Sequence, residues 1–161
     1  MKRITYSLWL GSLFLLSCQE KKEVFVNFSN PELDYSGRVN FDNKEGAEFY
    51  WTGTSIKMNF EGEKVSAILK DESGDNYYNV IIDNKLKAII QPDTIKKTYT
   101  LAYNLSKGKH TIELFRRNDW NRGKTQFYGF KINSHAKLLP KTESTSRKIE
   151  FYGDSISVGY A

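Results

Sequence analysis

The run Arg147-Lys148-Ile149-Glu150-Phe151-Tyr152-Gly153-Asp154-Ser155-Ile156 puts a serine just after an apolar, strand-like stretch and a glycine. Gly153 can take a sharp turn at the carboxyl end of that strand. Ser155 then falls in the first turn of a helix, where free backbone N–H groups can stabilise an oxyanion. Gly153, Asp154 and Ser155 therefore form a candidate turn for acyl transfer, with the Ser155 hydroxyl as nucleophile. The glycine-flanked elbow of α/β-hydrolases is absent, because Ile156-Ser157 comes after the serine. The bare residues also allow a plain turn in which Asp154 or Ser155 caps a helix.

A second chemical signal lies at the start. Lys2 and Arg3 precede an apolar stretch from Ile4 to Leu16, too short to span a bilayer, which takes about 20 residues. It ends in Leu15-Leu16-Ser17-Cys18, followed by Gln19-Glu20-Lys21-Lys22-Glu23. Small Ser17 before a lone cysteine reads as a lipoprotein signal, with Cys18 as the lipid-bearing residue. This predicts a bacterial cell-envelope location, anchored to a membrane through Cys18. The other reading is an ordinary signal peptide with an incidental cysteine.

Several classes drop out on composition. One cysteine makes no disulfide framework and no Cys-built zinc site, and two histidines leave little for a His-based metal centre. The charge of +5 comes from 24 bases interleaved with 19 acids, which gives no nucleic-acid footprint. Asp71 to Asn76 is acidic and contains Gly74, but its spacing fails the EF-hand template. Among the many aromatics, Trp120 in Asn118-Asp119-Trp120-Asn121-Arg122-Gly123 stands in loop chemistry and is a candidate sugar contact. A tryptophan at a loop tip also packs back over a sheet. Arg116-Arg117 with Asp119 reads as a structural ion pair or as the lining of an interface.

The elements that must position these groups are strands. Ile56, Met58 and Phe60 alternate with Lys57 and Asn59, and Val65, Ala67 and Leu69 repeat the pattern. Tyr78, Val80 and Ile82 share a face; Asp83-Asn84 turns the chain, and Leu86, Ala88 and Ile90 run back as a hairpin. Tyr99, Leu101 and Tyr103, then Ile112 and Leu114 after Lys107-Gly108, continue the period of two. Tyr128, Phe130 and Ile132 alternate with Phe127, Gly129 and Lys131. With Val24 to Phe28 and Arg38 to Phe41 the pattern predicts an all-β fold, an antiparallel β-sandwich of jelly-roll type. The chain divides into a signal peptide over 1–17, a tether over 18–23 and a sandwich over 24–133. A linker or strap over 134–148 leads to the start of an α/β domain over 149–161.

The segment Arg147 to Tyr160 closely resembles the first block of the SGNH/GDSL hydrolases, and more narrowly that of carbohydrate esterase family 2. Tyr35-Ser36-Gly37-Arg38, Trp51-Thr52-Gly53-Thr54, Tyr77-Tyr78-Asn79-Val80 and Thr111-Ile112-Glu113-Leu114-Phe115-Arg116 resemble landmarks of that family's N-terminal jelly-roll domain. The resemblance implies an esterase that removes O-acetyl groups from xylan-like or related glycans. Ser155 would be its nucleophile and its own N–H part of the oxyanion hole, with a histidine as general base and no metal or organic cofactor. The family's later blocks, which carry the oxyanion Gly and Asn and the Asp-x-x-His, are not in these 161 residues. His110 and His135 both precede Ser155 and match no catalytic position. A serine without a base is a poor nucleophile near neutral pH, so this chain by itself is expected to be hydrolytically silent. The alternative is a cell-surface carbohydrate-binding or adhesion module without catalysis.

Overall fold

The computed structural model describes residues 22–143 and 152–154. Cys18 and Ser155 lie outside the described residues, as do the signal-peptide stretch and, but for Tyr152, the strand expected over Ile149 to Tyr152.

Two six-stranded antiparallel sheets face each other. The first contains β3 (Val39–Asn40), β4 (Ala47–Phe49), β11 (Thr125–Ile132), β6 (Val65–Asp71) and β9 (Lys97–Ala102) in that order, with β1 (Val24–Asn27) paired to β11. The second contains β12 (Lys137–Leu138), β5 (Ser55–Glu61), β10 (Lys109–Arg116), β7 (Tyr78–Ile82) and β8 (Lys85–Ile90), with β2 (Asp34–Ser36) paired to β5. The expected sandwich is present, and among the described residues the one helical element is a 3₁₀ turn, Trp120–Arg122.

Period-two alternation explains the core. Phe49, Ala67, Leu69, Phe127, Phe130 and Ile132 from the first sheet meet Ile56, Met58, Phe60, Val80, Ile82, Ile112 and Leu114 from the second. Burying each such side chain contributes about 1.5–3 kcal/mol, against the entropy of ordering the strands. The Asp83-Asn84 turn joins β7 to β8 with positive φ at both residues (50° and 62°), the type I′ geometry that suits strand twist.

Simple alternation fails at three register shifts, in the β11–β6, β6–β9 and β7–β8 pairs, where an inserted residue reverses the facing of its successors along the strand. In β11 the register to β6 shifts between Phe127 and Gly129, so Phe127 and Phe130 both point inward. Tyr128, expected among the core-facing residues, lies on the outer face instead, still buried at 7% exposure, with the Lys96 ammonium 3.6 Å from its ring centroid. In the β7–β8 pair the shift between Val80 and Ile81 puts Leu86 opposite Ile81 on the outer face, where it is 59% exposed. Gly129 makes the first bulge possible. It has φ +147°, and a Cβ there would sit 2.3 Å from the Val26 carbonyl oxygen of β1.

Gly129→Ala is therefore expected to cost about 3 kcal/mol, from backbone strain plus overpacking against β1. A urea unfolding midpoint compared with that of the unaltered chain checks it; an unchanged midpoint would show that β1 yields freely.

Candidate functional site

Of the predicted nucleophile turn, Tyr152, Gly153 and Asp154 are described, and all three are exposed. The chain leaves the sandwich along the second sheet. After β12 pairs with β5, Leu139 N–H donates to the Asn59 carbonyl (2.9 Å) and Asn59 Nδ2 donates to the Pro140 carbonyl (3.0 Å) and Thr142 Oγ1 (3.1 Å). Lys141 N–H donates to Glu32 Oε2 (2.9 Å). Residues 139–142 are thus strapped across the outer face, beside a polar groove of about 350 Å³ lined by Glu32, Asp34, Lys57, Asn59, Thr111 and Glu113.

Near this strap the sandwich holds a serine, a histidine and an aspartate in sequence. His110 Nδ1 lies 2.7 Å from Asp83 Oδ2, and Ser106 Oγ lies 3.5 Å from His110 Nε2. The geometry imitates a hydrolytic triad, yet the imidazole cannot act as its base. Nε2 lies 2.9 Å from the Ser106 carbonyl oxygen, a pure acceptor, so that nitrogen carries a proton. The other nitrogen faces the Asp83 carboxylate, which favours the protonated ring. Burial pulls the His110 pKa down, but the Ser106 carbonyl and the Asp83 carboxylate outweigh it and the net shift is upward. For Asp83, burial pushes the pKa upward, while hydrogen bonds from Thr111 N–H and His110 outweigh it and hold the carboxyl below its ordinary value. The group is a cationic clasp between the β7–β8 turn and the loop entering β10.

The opposite end of the sandwich is organised by Arg116, whose side chain is fully buried. Its Nη1 donates to the Phe49 carbonyl (2.8 Å), and its Nη2 donates to Asn76 Oδ1 (2.7 Å) and the carbonyls of Gly123 (2.8 Å) and Asp119 (3.2 Å). Nε donates to the Asn118 carbonyl (3.3 Å). Asn76 Nδ2 passes the network on to Asp71 Oδ2 (2.9 Å), and the other Asp71 oxygen accepts Gly74 N–H (2.8 Å) and Ser73 N–H (3.2 Å). Thr125 Oγ1 also donates to Asp71. The acidic 71–76 segment is thus a loop closure built on Asp71. Arg116, expected at the surface, is instead the buried tie between three loops, over 50–54, 72–77 and 117–124. Trp120 opens the 3₁₀ turn within the last of them.

Residues 35–142 match the family model of the carbohydrate esterase 2 N-terminal domain. The chain belongs to that family. It is 34% identical over 131 residues to the cellulase/esterase CelE of Acetivibrio thermocellus, a match that covers 81% of this chain and 16% of that protein. It is 25% identical over 156 residues to an acetylxylan esterase / glucomannan deacetylase of Cellvibrio japonicus, covering 94% of this chain and 43% of that protein. Among solved structures, a family two carbohydrate esterase from Clostridium thermocellum in complex with cellohexaose superposes with a TM-score of 0.71 at 33% identity. That match covers 77% of this chain and 38% of the other. This carbohydrate esterase 2 chain therefore spans less than half the length of these relatives.

Sequence reading missed the clasp, because Asp83 lies 27 residues before His110, on a separate turn that only the strand register brings to the Ser106–His110 loop. It also missed Arg116 as a core residue, since a charged side chain in an Arg-Arg pair carries no mark of burial.

Arg116→Ala is expected to cost about 3–5 kcal/mol, since it leaves Asn76 and several loop carbonyls unpaired in the interior. Arg116→Lys should recover little, because an ammonium cannot reproduce the planar fork; a wild-type midpoint in chemical denaturation for either variant would contradict this. The clasp sets a pH window. Because folding raises the His110 pKa, its stabilisation is complete below about pH 6.5 and drains away as pH rises through the folded value. Asp83 acts in the other sense: its stabilisation is present above its ordinary pKa and lost as pH falls through the depressed one. The unaltered chain should lose about 1 kcal/mol on the alkaline side, the half-exposed Asp83 being partly screened, and His110→Ala should flatten that slope. Thermal melts from about pH 5 to 9 bracket the histidine titration and check it.

Proposed function

We propose that this chain is the N-terminal part of a secreted carbohydrate O-acetylesterase, tethered to a bacterial envelope membrane through Cys18, with Ser155 as the nucleophile. The observation that carries the reading is an order of parts. The family match ends at residue 142, and an apolar run ending in Gly153-Asp154-Ser155 comes soon after it. The acetylxylan esterase / glucomannan deacetylase relatives and the cellohexaose-bound neighbour support an acetylated plant-type polysaccharide as the substrate class.

The chemistry assigned to Ser155 is a double displacement. Its Oγ bonds to the acetyl carbonyl carbon while a histidine takes the hydroxyl proton; the sugar oxygen leaves with that proton, and water then releases acetate from the acyl-serine. Backbone N–H groups at the turn after Gly153 would hold the oxyanion. His110 cannot supply the base, because both of its ring nitrogens are spent on acceptors. The base belongs to the part of the α/β domain beyond Ala161, and the sandwich alone is silent.

Acetate release from acetylated xylan and acetylated glucomannan tests this. The 161-residue chain is expected to release none, while the reading frame continued past Ala161 turns over. There Ser155→Ala lowers kcat by about 10³-fold or more, and Cys18→Ser abolishes palmitate labelling. Hydrolysis by the short chain, or an active Ser155→Ala variant of the long one, would overturn the assignment.

A further inference from the structure

The loop end tied by Arg116 presents two large aromatic side chains to solvent. Trp51 is 45% exposed and Tyr77 is 39% exposed. Both stand on backbone that the fold holds firmly. Thr54 N–H donates to the Trp51 carbonyl (3.2 Å), Gly53 N–H to the Arg116 carbonyl (3.0 Å), and Thr52 Oγ1 to the Asn118 carbonyl (2.8 Å). On the other side, Tyr77 N–H donates to Asn118 Oδ1 and the Tyr77 carbonyl accepts Arg117 N–H (2.9 Å). Asn118 thus sits between the two aromatic turns and is bonded to each. The guanidinium of Arg38 lies 5.5 Å from the Trp51 ring centroid, and Arg117 is exposed beside Tyr77.

An exposed ring on a floppy loop asks for no explanation, but two rings held on over-determined turns with polar groups between them do. Stacking on the C–H face of a pyranose needs an apolar ring already in place, and orienting the hydroxyls needs amides and guanidinium groups at its margin. Spacing adds a further argument. The turns carrying Trp51 and Tyr77 lead into β5 and β7, which flank β10 in the second sheet, so their roots stand two strand spacings apart, on the order of 10 Å. That separation suits every second ring of an extended β-linked glycan. Trp120, the sugar contact expected from the sequence, belongs to the loop that carries Asn118.

We infer that Trp51 and Tyr77, with Asn118, Arg38 and Arg117 at their margin, form a binding platform for an extended β-1,4-linked glycan chain. The site lies on the sandwich and uses no residue of the Gly153-Asp154-Ser155 turn. The inference takes from the proposed function only that carbohydrate is the ligand class. It gives the front domain a role of its own: holding the polymer while the acetyl group is removed elsewhere.

Titration calorimetry and intrinsic fluorescence with cellohexaose and xylohexaose test it on the 161-residue chain. At least one of the two oligosaccharides should bind and shift tryptophan emission. Trp51→Ala and Tyr77→Ala should each weaken it about tenfold or more, with the melting temperature preserved because both rings are exposed. Ser155→Ala should bind as the unaltered chain does, so failure of the esterase assignment and failure of the platform are read separately. Glu113→Gln, in the polar groove of the outer face, should leave binding intact. The inference is overturned if neither sugar binds, if both aromatic variants bind normally, or if Glu113→Gln is the variant that loses affinity. It is equally overturned if Trp51 is shielded from iodide quenching in the longer parent chain without sugar, which would make the patch a contact between domains.

Discussion

A guanidinium taken wholly out of water must recover its hydration from the protein, and around Arg116 that demand shapes one end of the molecule. Its donors are met by three loop carbonyls, the Phe49 carbonyl of the first sheet and the Asn76 amide. Backbone from β4, the β6–β7 loop and the β10–β11 loop is therefore fixed relative to one side chain projecting from β10. Hydrophobic packing between the sheets is non-directional and would tolerate several loop arrangements; five directed hydrogen bonds to one planar group do not. Asp71 extends the constraint by one more shell, binding Asn76, Thr125 and the 73–74 backbone without sitting against the arginine itself.

The two ends of the sandwich consequently differ in kind. At the Arg116 end a permanently charged group is sealed in the interior, so the loops there keep their shape across the ordinary pH range. At the other end the tie is a histidine, whose charge depends on pH near neutrality. His110 bridges Asp83 and the Ser106 backbone, and Asp83 reaches through Thr111 N–H toward the region where Asn59 holds the strap. Softening with rising pH thus falls on the side where β12 begins the strap along β5, and the aromatic end is spared.

Strand identity was legible because burial of one face imposes a period of two, and the Asp83-Asn84 turn was legible because few residue pairs accept positive φ twice. The facing of Tyr128 and Leu86 was not. Each lies beside a single inserted residue, and a bulge leaves no mark in a count of alternating hydrophobics except, at Gly129, a glycine that could equally have marked a turn. The sheet assignment of β9 and β10 was hidden as well: their connecting turn at Lys107-Gly108 carries the chain between sheets, and adjacency in sequence does not reveal that. For the site, the Gly-Asp-Ser run is contiguous and so could be proposed from sequence, whereas the clasp and the arginine tie arise from segments up to 67 residues apart.

These differences bear on how a sandwich can serve an esterase without sharing in the bond-breaking step. The reaction proposed at Ser155 would require an acetylated sugar to remain near a base and an oxyanion hole long enough to react. A domain that engages the unreacting rings of the same polymer raises the local concentration of ester without touching the transition state. Such a contribution is worth most when the binding surface does not rearrange, because ordering loops on contact would consume the affinity gained. A buried, always-charged arginine beneath two exposed aromatics meets that requirement better than a titrating histidine would. The costly desolvation of Arg116 is then offset by the loops it holds still.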